Sequence, residues 1–333
     1  MSHALETARN EQGELLAAFV SAREVPWHKL GVVTDDVLTA EEALKKSYLA
    51  DWDLRHAPFV GYVEDEYVRR EDKSFVVRTH PFSRKPDILG VTSPRYGLVS
   101  NEESFAFLDA FGSIGGAKFE TAGSILNGRR VFVTMRLPQE LLVAGMDPVE
   151  TYLLATTTHD GSAPFEGMVV PNRVVCRNTL DFAMEGASRK VRIRHTSNAA
   201  ERMEEATNVL AATEGYVTAF AKAAERLAST KLEGGDVDDL LEELFRLPSD
   251  AGKTKTARVQ ERRTQVAKLL LRSDTLADDL RMTGWGFVNA VAEWVDWFSP
   301  VRAEDPEARR AQRVTFEEEG SRIKSRAMSL VLA

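Results

Sequence analysis

The sequence predicts an α+β fold: a β-rich N-terminal body with short helices, followed by an α-helical C-terminal region. Three observations carry that prediction. Between about residues 54 and 176 the apolar residues are mostly β-branched or aromatic, in short runs split by Gly, Pro, Asn or charged turns. Beyond about residue 196 the spacing changes, and Met203, Leu210, Val217, Phe220 and Leu227 fall near one helical stripe. Strand-like and helix-like stretches are therefore segregated along the chain, which favours α+β over an alternating α/β layout. The expected division is an N-terminal arm over 1–24, an α+β body over 25–198 and a helical region over 199–333.

Residues 1–24 are polar and read as an arm or a weak helix. Thr39-Ala-Glu-Glu42 fits a capping box, in which hydroxyl and carboxylate satisfy the first free N–H groups of a helix running to about Tyr48. Strands are expected over 54–63, 67–77 and 88–100. Asn101 reads as the N-cap of a helix carrying Phe105, Leu108 and Phe111, and Gly112 as its stop. Residues 118–124 and 130–137 pair across Leu126-Asn-Gly128, since Asn-Gly is a strong hairpin signal. Two more strands, 152–158 and 168–176, flank His159-Asp-Gly-Ser162. In the helical region Gly234-Gly235 breaks the first long helix, and Asp236 caps a short one ending at Pro248. A Lys/Arg-rich helix over 254–272 follows, and an apolar one over 285–298 is closed by Pro300.

With 333 residues, 43% hydrophobic and 28% charged, the chain has ample material for a core. Its formal net charge of −8 means that a nucleic acid must be held by a locally basic surface. The single cysteine, Cys176, cannot form an internal disulfide, which points to a reducing compartment. The first residues show no basic segment followed by an apolar run, and no stretch reaches bilayer-spanning length. A cytoplasmic protein without membrane partners is the expectation.

Enzyme signatures are missing from the motifs. There is no glycine-rich phosphate loop and no dinucleotide fingerprint, and none of the six histidines pairs with another His or Cys at metal-ligand spacing. No catalytic residue, metal or cofactor is assigned. Cys176, at the end of an apolar strand, reads as buried and inert. His159-Asp160-Gly161 reads as a turn in which Asp bonds its own backbone and Gly takes positive φ. A general base beside an acid is its other reading.

The basic segments are more informative. In Arg189-Lys-Val-Arg-Ile-Arg-His195 charged and apolar residues alternate with strand period, so Lys190, Arg192 and Arg194 share one face. Arg129, Arg130, Arg173 and Arg177 add positive charge near strand ends, with Asn178 and His195 as hydrogen-bonding neighbours. Such a ridge tracks a phosphate backbone or serves as a solvated, aggregation-resistant sheet edge. Trp27, Trp52, Tyr62 and Tyr96 are stacking faces or core. Ser93-Pro-Arg-Tyr-Gly97 reads as a turn presenting Arg95 and Tyr96 together. Trp285, Trp294 and Trp297 fit core or subunit packing.

Several stretches in this order form a recognisable set: Pro26-Trp-His-Lys-Leu-Gly31, Leu49-Ala-Asp-Trp52, Leu89-Gly-Val-Thr-Ser-Pro-Arg-Tyr96, Thr121-Ala-Gly-Ser124, Gly128-Arg-Arg130, His159-Asp-Gly-Ser162, Arg173-Val-Val-Cys-Arg-Asn-Thr-Leu180, Arg192-Ile-Arg-His-Thr196 and Asn289-Ala-Val291. The set resembles the phage/plasmid-like proteins grouped as domain of unknown function 932, over about residues 25–300. In layout the body more distantly resembles the single-strand annealing recombinases, whose β-sheet and helix core assembles into rings holding single-stranded DNA in a basic groove. The resemblance implies a phage-type single-stranded DNA-binding protein that promotes ATP-independent annealing in a bacterial host cell, as a homo-oligomer and in ring form. Phosphate contact would fall to Arg129, Arg130, Arg173, Arg177, Lys190, Arg192 and Arg194, stacking to Tyr96 with Arg95 presented beside it as a nucleic-acid contact, and sugar or phosphate hydrogen bonds to Asn178 and His195. The alternatives are an accessory protein binding a host protein through acidic runs such as Glu64-Asp-Glu66, Asp238-Asp239 and Glu317-Glu-Glu319, and a hydrolase or nuclease using His159, Asp160 and His195.

Overall fold

Local sequence chemistry starts several elements where the residues demand it. The computed structural model describes residues 5–10, 12–22, 30–35, 38–173, 190–193, 199–301 and 318–333. Thr39 closes a full capping box with Glu42 at the head of α1 (Ala40–Lys46). In the next helix the cap is Ser100, reciprocally bonded with Glu103, and Asn101 is the first residue of α2 (Asn101–Phe105). Asn101 was expected as the cap; it is instead buried and turned inward. α3 (Phe107–Gly115) runs past Gly112 and stops at Gly116, whose φ of 64° is the left-handed cap that glycine permits.

Residues expected as an arm contribute strands instead. β1 (Thr7–Arg9) pairs with β2 (Leu15–Ala17), and β3 (Phe19–Ala22) enters the main sheet between its neighbours. β4 (Val32–Thr34) lies parallel to β3 at one edge. A separate three-stranded meander is formed by β5 (Arg55–Val63), β6 (Glu66–Thr79) and β7 (Pro86–Thr92), which ends earlier than expected. β8 (Lys118–Ile125) and β9 (Arg130–Val143) make the expected hairpin. Its turn holds Leu126, Asn127 and Gly128 all at positive φ. β10 (Asp147–Thr158), β11 (Glu166–Arg173) and β12 (Lys190–Arg192) complete a seven-stranded sheet in the order β12-β11-β10-β9-β8-β3-β4.

The helical region follows as α4 (Ala199–Ser229), α5 (Gly234–Leu244), α6 (Lys253–Arg272), α7 (Asp278–Arg281), α8 (Gly284–Glu293) and α9 (Glu318–Leu332), with a π-helical turn at Trp294–Phe298. Glu233, not Asp236, is the N-cap of α5, and Asp236 is its reciprocal partner. Met203, expected on the apolar stripe of α4, is exposed, whereas Val217, Phe220 and Leu227 are buried.

One apolar cluster runs from Val20 and Val131 in the sheet through Phe220 in α4 to Trp285 and Met328. Body and helices thus share a core, and Trp285 Nε1 donates to Asp147 Oδ2 at 2.7 Å across it. Residues directly opposite in neighbouring strands share a sheet face. Val133, Ala155 and Val169 lie on the face toward this core. Phe132, Leu154 and Ile125 lie on the other, outer face, in a smaller cluster with Phe19.

Candidate nucleic-acid interface

The outer face changes character toward β12. Register carries Phe132 of β9 to Thr156, then to Glu166, then to Arg192. One step along, Leu154 leads to Met168 and then Lys190. Phe132 and Leu154 are buried, Glu166 and Met168 half-buried, and Lys190 and Arg192 exposed. Val191 and Ile193 take the core side, with Ile193 buried in the main cluster. The alternation expected for this segment therefore holds over 190–193. Arg130, two residues before Phe132 and paired with Thr158, lies on the same outer face. Arg192 is three strands away, about 14 Å at ordinary strand spacing.

The loop end of the sheet gathers the other sites. Tyr96 N donates to Ser93 O at 3.0 Å, and Arg95 N to Ser93 Oγ at 3.1 Å, which makes the expected turn. His56 Nε2 donates to Tyr96 O at 2.9 Å and Tyr96 Oη to Thr158 O at 3.4 Å. Arg129 Nε donates to Leu126 O at 3.0 Å, and the Arg129 carbonyl accepts from His159 N at 3.0 Å. Arg95, Tyr96, Arg129 and Arg130 thus meet at the β10–β11 loop. Arg95 and Arg129 are exposed, but Tyr96 is half-buried and packs against the core. Burial first, then the Asp160 charge, holds its phenol above the ordinary value. Its ring supports the loop and offers little free face for stacking.

Arg173 is the last residue of β11, opposite Val149. Arg177, Asn178, Arg194 and His195, like Cys176 and Trp27, lie outside the described residues. His159-Asp160-Gly161 is a turn: Asp160 Oδ1 accepts from Ser162 N at 2.9 Å and Gly161 has φ of 77°. His159 is buried, its Nε2 2.8 Å from Asn101 Oδ1 and its ring edge-on to Trp52 at 5.5 Å. Asn101 in turn donates to Leu49 O at 2.7 Å.

Sequence reading missed the polar centre beneath this loop. Arg78 is fully buried, lies 4.2 Å over the Trp52 ring and pairs with buried Glu6 and with Asp87. Its guanidinium lies under the β8–β9 turn, where a Cβ on Gly128 would overlap it. Glu6, His80 and Asp87 are near enough to one another to hold a metal ion, but Arg78 already serves both carboxylates as their cation. Nearby, a cleft of about 590 Å³ is lined by Asp51, Trp52, Asp53, Arg84, Glu102 and Glu103.

Farther along the outer face, Arg136 bonds Glu150 at 2.5 Å and Glu140 at 2.8 Å. Tyr152 Oη donates to Glu150 Oε2 at 2.6 Å. Burial, the Glu150 bond and the negative charges of Glu150 and Glu120 raise the Tyr152 phenol well above 10.0. A group raised in the folded state adds stability that is fully present below its unfolded value and is lost as pH rises above it. Unfolding of the native chain is thus expected to release one more proton than that of Tyr152→Phe above about pH 10. Urea titrations of the two should diverge there by about 1.4 kcal/mol per pH unit; parallel curves up to pH 11 would contradict it.

Fold and site together define an α+β protein whose main sheet packs on a helix-backed core and turns basic at the β12 edge of its outer face. The chain belongs to the family described as Domain of unknown function (DUF932), whose model matches residues 88–315. The stretches at 26–31 and 49–52 that share in the resemblance precede the match. No curated protein and no solved structure matches the chain. No helix among the described residues is long and apolar enough to cross a membrane.

Proposed function

We propose that this chain binds single-stranded DNA across the outer face of its seven-stranded sheet and promotes strand annealing without ATP, as a homo-oligomer in the cytoplasm of a bacterial host. The observation that carries the reading is the common face of Arg130, Lys190 and Arg192, on the side away from the main core. A phosphate chain crossing β9 to β12 meets these cations while the core behind stays intact. Exposed Arg95 and Arg129 extend the positive surface to the loop end. Annealing requires no bond chemistry, since neutralised phosphates and accessible base edges suffice. The net charge of −8 works against such binding at long range, so the contact should be short-ranged and salt-sensitive.

The test is anisotropy of a labelled single-stranded oligonucleotide over a series of salt concentrations. Lys190→Ala/Arg192→Ala is expected to weaken binding and to flatten the slope of log K against log salt by about 1.4, two phosphate contacts on a single strand. Unchanged affinity and slope in a folded double variant would remove this face as the DNA site.

The acidic cleft at Asp51, Asp53, Glu102 and Glu103 favours a second reading, an accessory factor that binds a basic surface of a host protein. Host protein retained in a pull-down after nuclease treatment supports it; loss of every partner with nuclease favours DNA.

A further inference from the structure

We propose that two copies of this chain join edge to edge through the β5–β6 hairpin, as antiparallel β6 strands with Val68 on the two-fold axis. β6 has ladder partners on both sides only from Ser74 to Thr79, where β7 meets it. From Glu66 to Arg70 it pairs with β5 alone, and its second edge has no ladder partner among the described residues. Residues 66–73 are all exposed, with Tyr67 at 81% and Val68 at 48%. A bare edge offers its N–H and C=O groups to any strand that fits.

The fit is to itself. In a two-fold antiparallel pair the axial residue faces its own copy, and opposed residues share one side of the sheet. With Val68 on the axis, Glu66 falls opposite Arg70 of the other copy and Tyr67 opposite Arg69, each twice. Moving the axis to Arg69 sets two arginines face to face. Moving it to Tyr67 calls on Glu64 and Asp65, which turn at positive φ and cannot extend the strand. The other edge of the hairpin, on β5, carries Pro58, which has no N–H for a ladder.

Electrostatics suit the pairing. Glu66, Glu71 and Asp72 balance Arg69, Arg70 and Lys73, so the edge is neutral although each chain carries −8. Within each strand Glu71 holds Arg69 at 2.9 Å and Asp72 holds Arg70 at 2.8 Å. Each guanidinium keeps further N–H donors for the partner's Glu66 or the face of its Tyr67.

Sedimentation velocity on the full chain tests this. The native protein is expected to reach a species of twice the 37.0 kDa chain mass as concentration rises. Glu66→Arg and Arg70→Glu should each weaken self-association about tenfold, since each turns two attractive pairs repulsive. The double variant Glu66→Arg/Arg70→Glu should restore it, and so should an equimolar mixture of the two single variants. Circular dichroism checks that each variant is folded. A native chain that stays monomeric to its solubility limit overturns the proposal, as does a dimer indifferent to both reversals. These residues lie off the proposed DNA face, so oligonucleotide affinity per chain reports separately on that reading.

Discussion

Replacing Arg78 with methionine is expected to cost the fold about 3–5 kcal/mol, because it strands a buried carboxylate without its cation. Arg78 is 0% exposed and Glu6 3%. Glu6 also accepts from Ser124 Oγ at 2.9 Å, so it is fixed in place and cannot swing to water. Asp87 accepts from Arg78 Nε at 2.9 Å but is a third exposed, and it loses less. Methionine fills much of the volume over Trp52, so the cost is mainly electrostatic. Urea unfolding should show a lower midpoint with an unchanged slope. The double variant Glu6→Gln/Arg78→Met should recover part of the loss, since a neutral amide is cheaper to bury than a carboxylate. A loss below about 1 kcal/mol in Arg78→Met would mean that Glu6 reaches solvent or is held instead by His80, whose Nε2 lies 3.3 Å from it. The effect reaches the site as well. The guanidinium lies beneath Gly128 in the turn that delivers Arg129 and Arg130, and β1 comes to the sheet beside it, where Leu5 bridges Ile125.

What the sequence disclosed, and what it hid, follows from the range of the interactions. The β8–β9 hairpin was legible because Asn127-Gly128 supplies positive φ within the turn itself. The capping box at Thr39 was legible for the same reason, both partners lying within four residues. β3 was not: four residues long, it gains order from a strand far along the chain, with Phe19 opposite Gly123. In sequence Gly112 has the look of a helix stop, but its bare Cα faces Ala117 O, where a Cβ would come within 3.2 Å. It is a packing glycine inside a helix that continues. The Lys190/Arg192 alternation was visible from period two alone. That Arg130 shares their face was not, since it depends on register carried across β9, β10 and β11. Arg78 gave no signal, because nothing in its neighbourhood names Glu6 as the partner.

Lys324→Met is the second substitution expected to cost about 3–5 kcal/mol, and its effect should be confined to the helical region. Lys324 of α9 and Asp296 of the π-helical turn are 1% and 3% exposed and lie 2.7 Å apart. Losing the ammonium removes the Lys324 partner of Asp296, which is buried and follows buried Trp294 and Val295 in the chain. Asp296→Asn/Lys324→Met should be less destabilised than Lys324→Met alone, because a neutral amide is cheaper to bury than a carboxylate that has lost this partner. Two further ties of α9 are more exposed: Arg326 donates to Glu243 O at 2.7 Å, and Arg226 to Leu332 O at 2.8 Å. Such surface bonds add little, so once the buried ion pair is gone the helix rests mainly on the apolar packing around Ala327 and Met328. Hydrogen exchange of Lys324→Met should therefore accelerate first over 318–332, with the amides of β9 and β10 still protected. Uniform acceleration across the sheet would mean that α9 and the body open as one unit. The proposed DNA face lies on the far side of the sheet from the helix-packed core, so oligonucleotide affinity should be retained wherever the variant remains folded. A parallel loss of affinity would instead tie the helical region to the binding surface and move the DNA site away from the outer face.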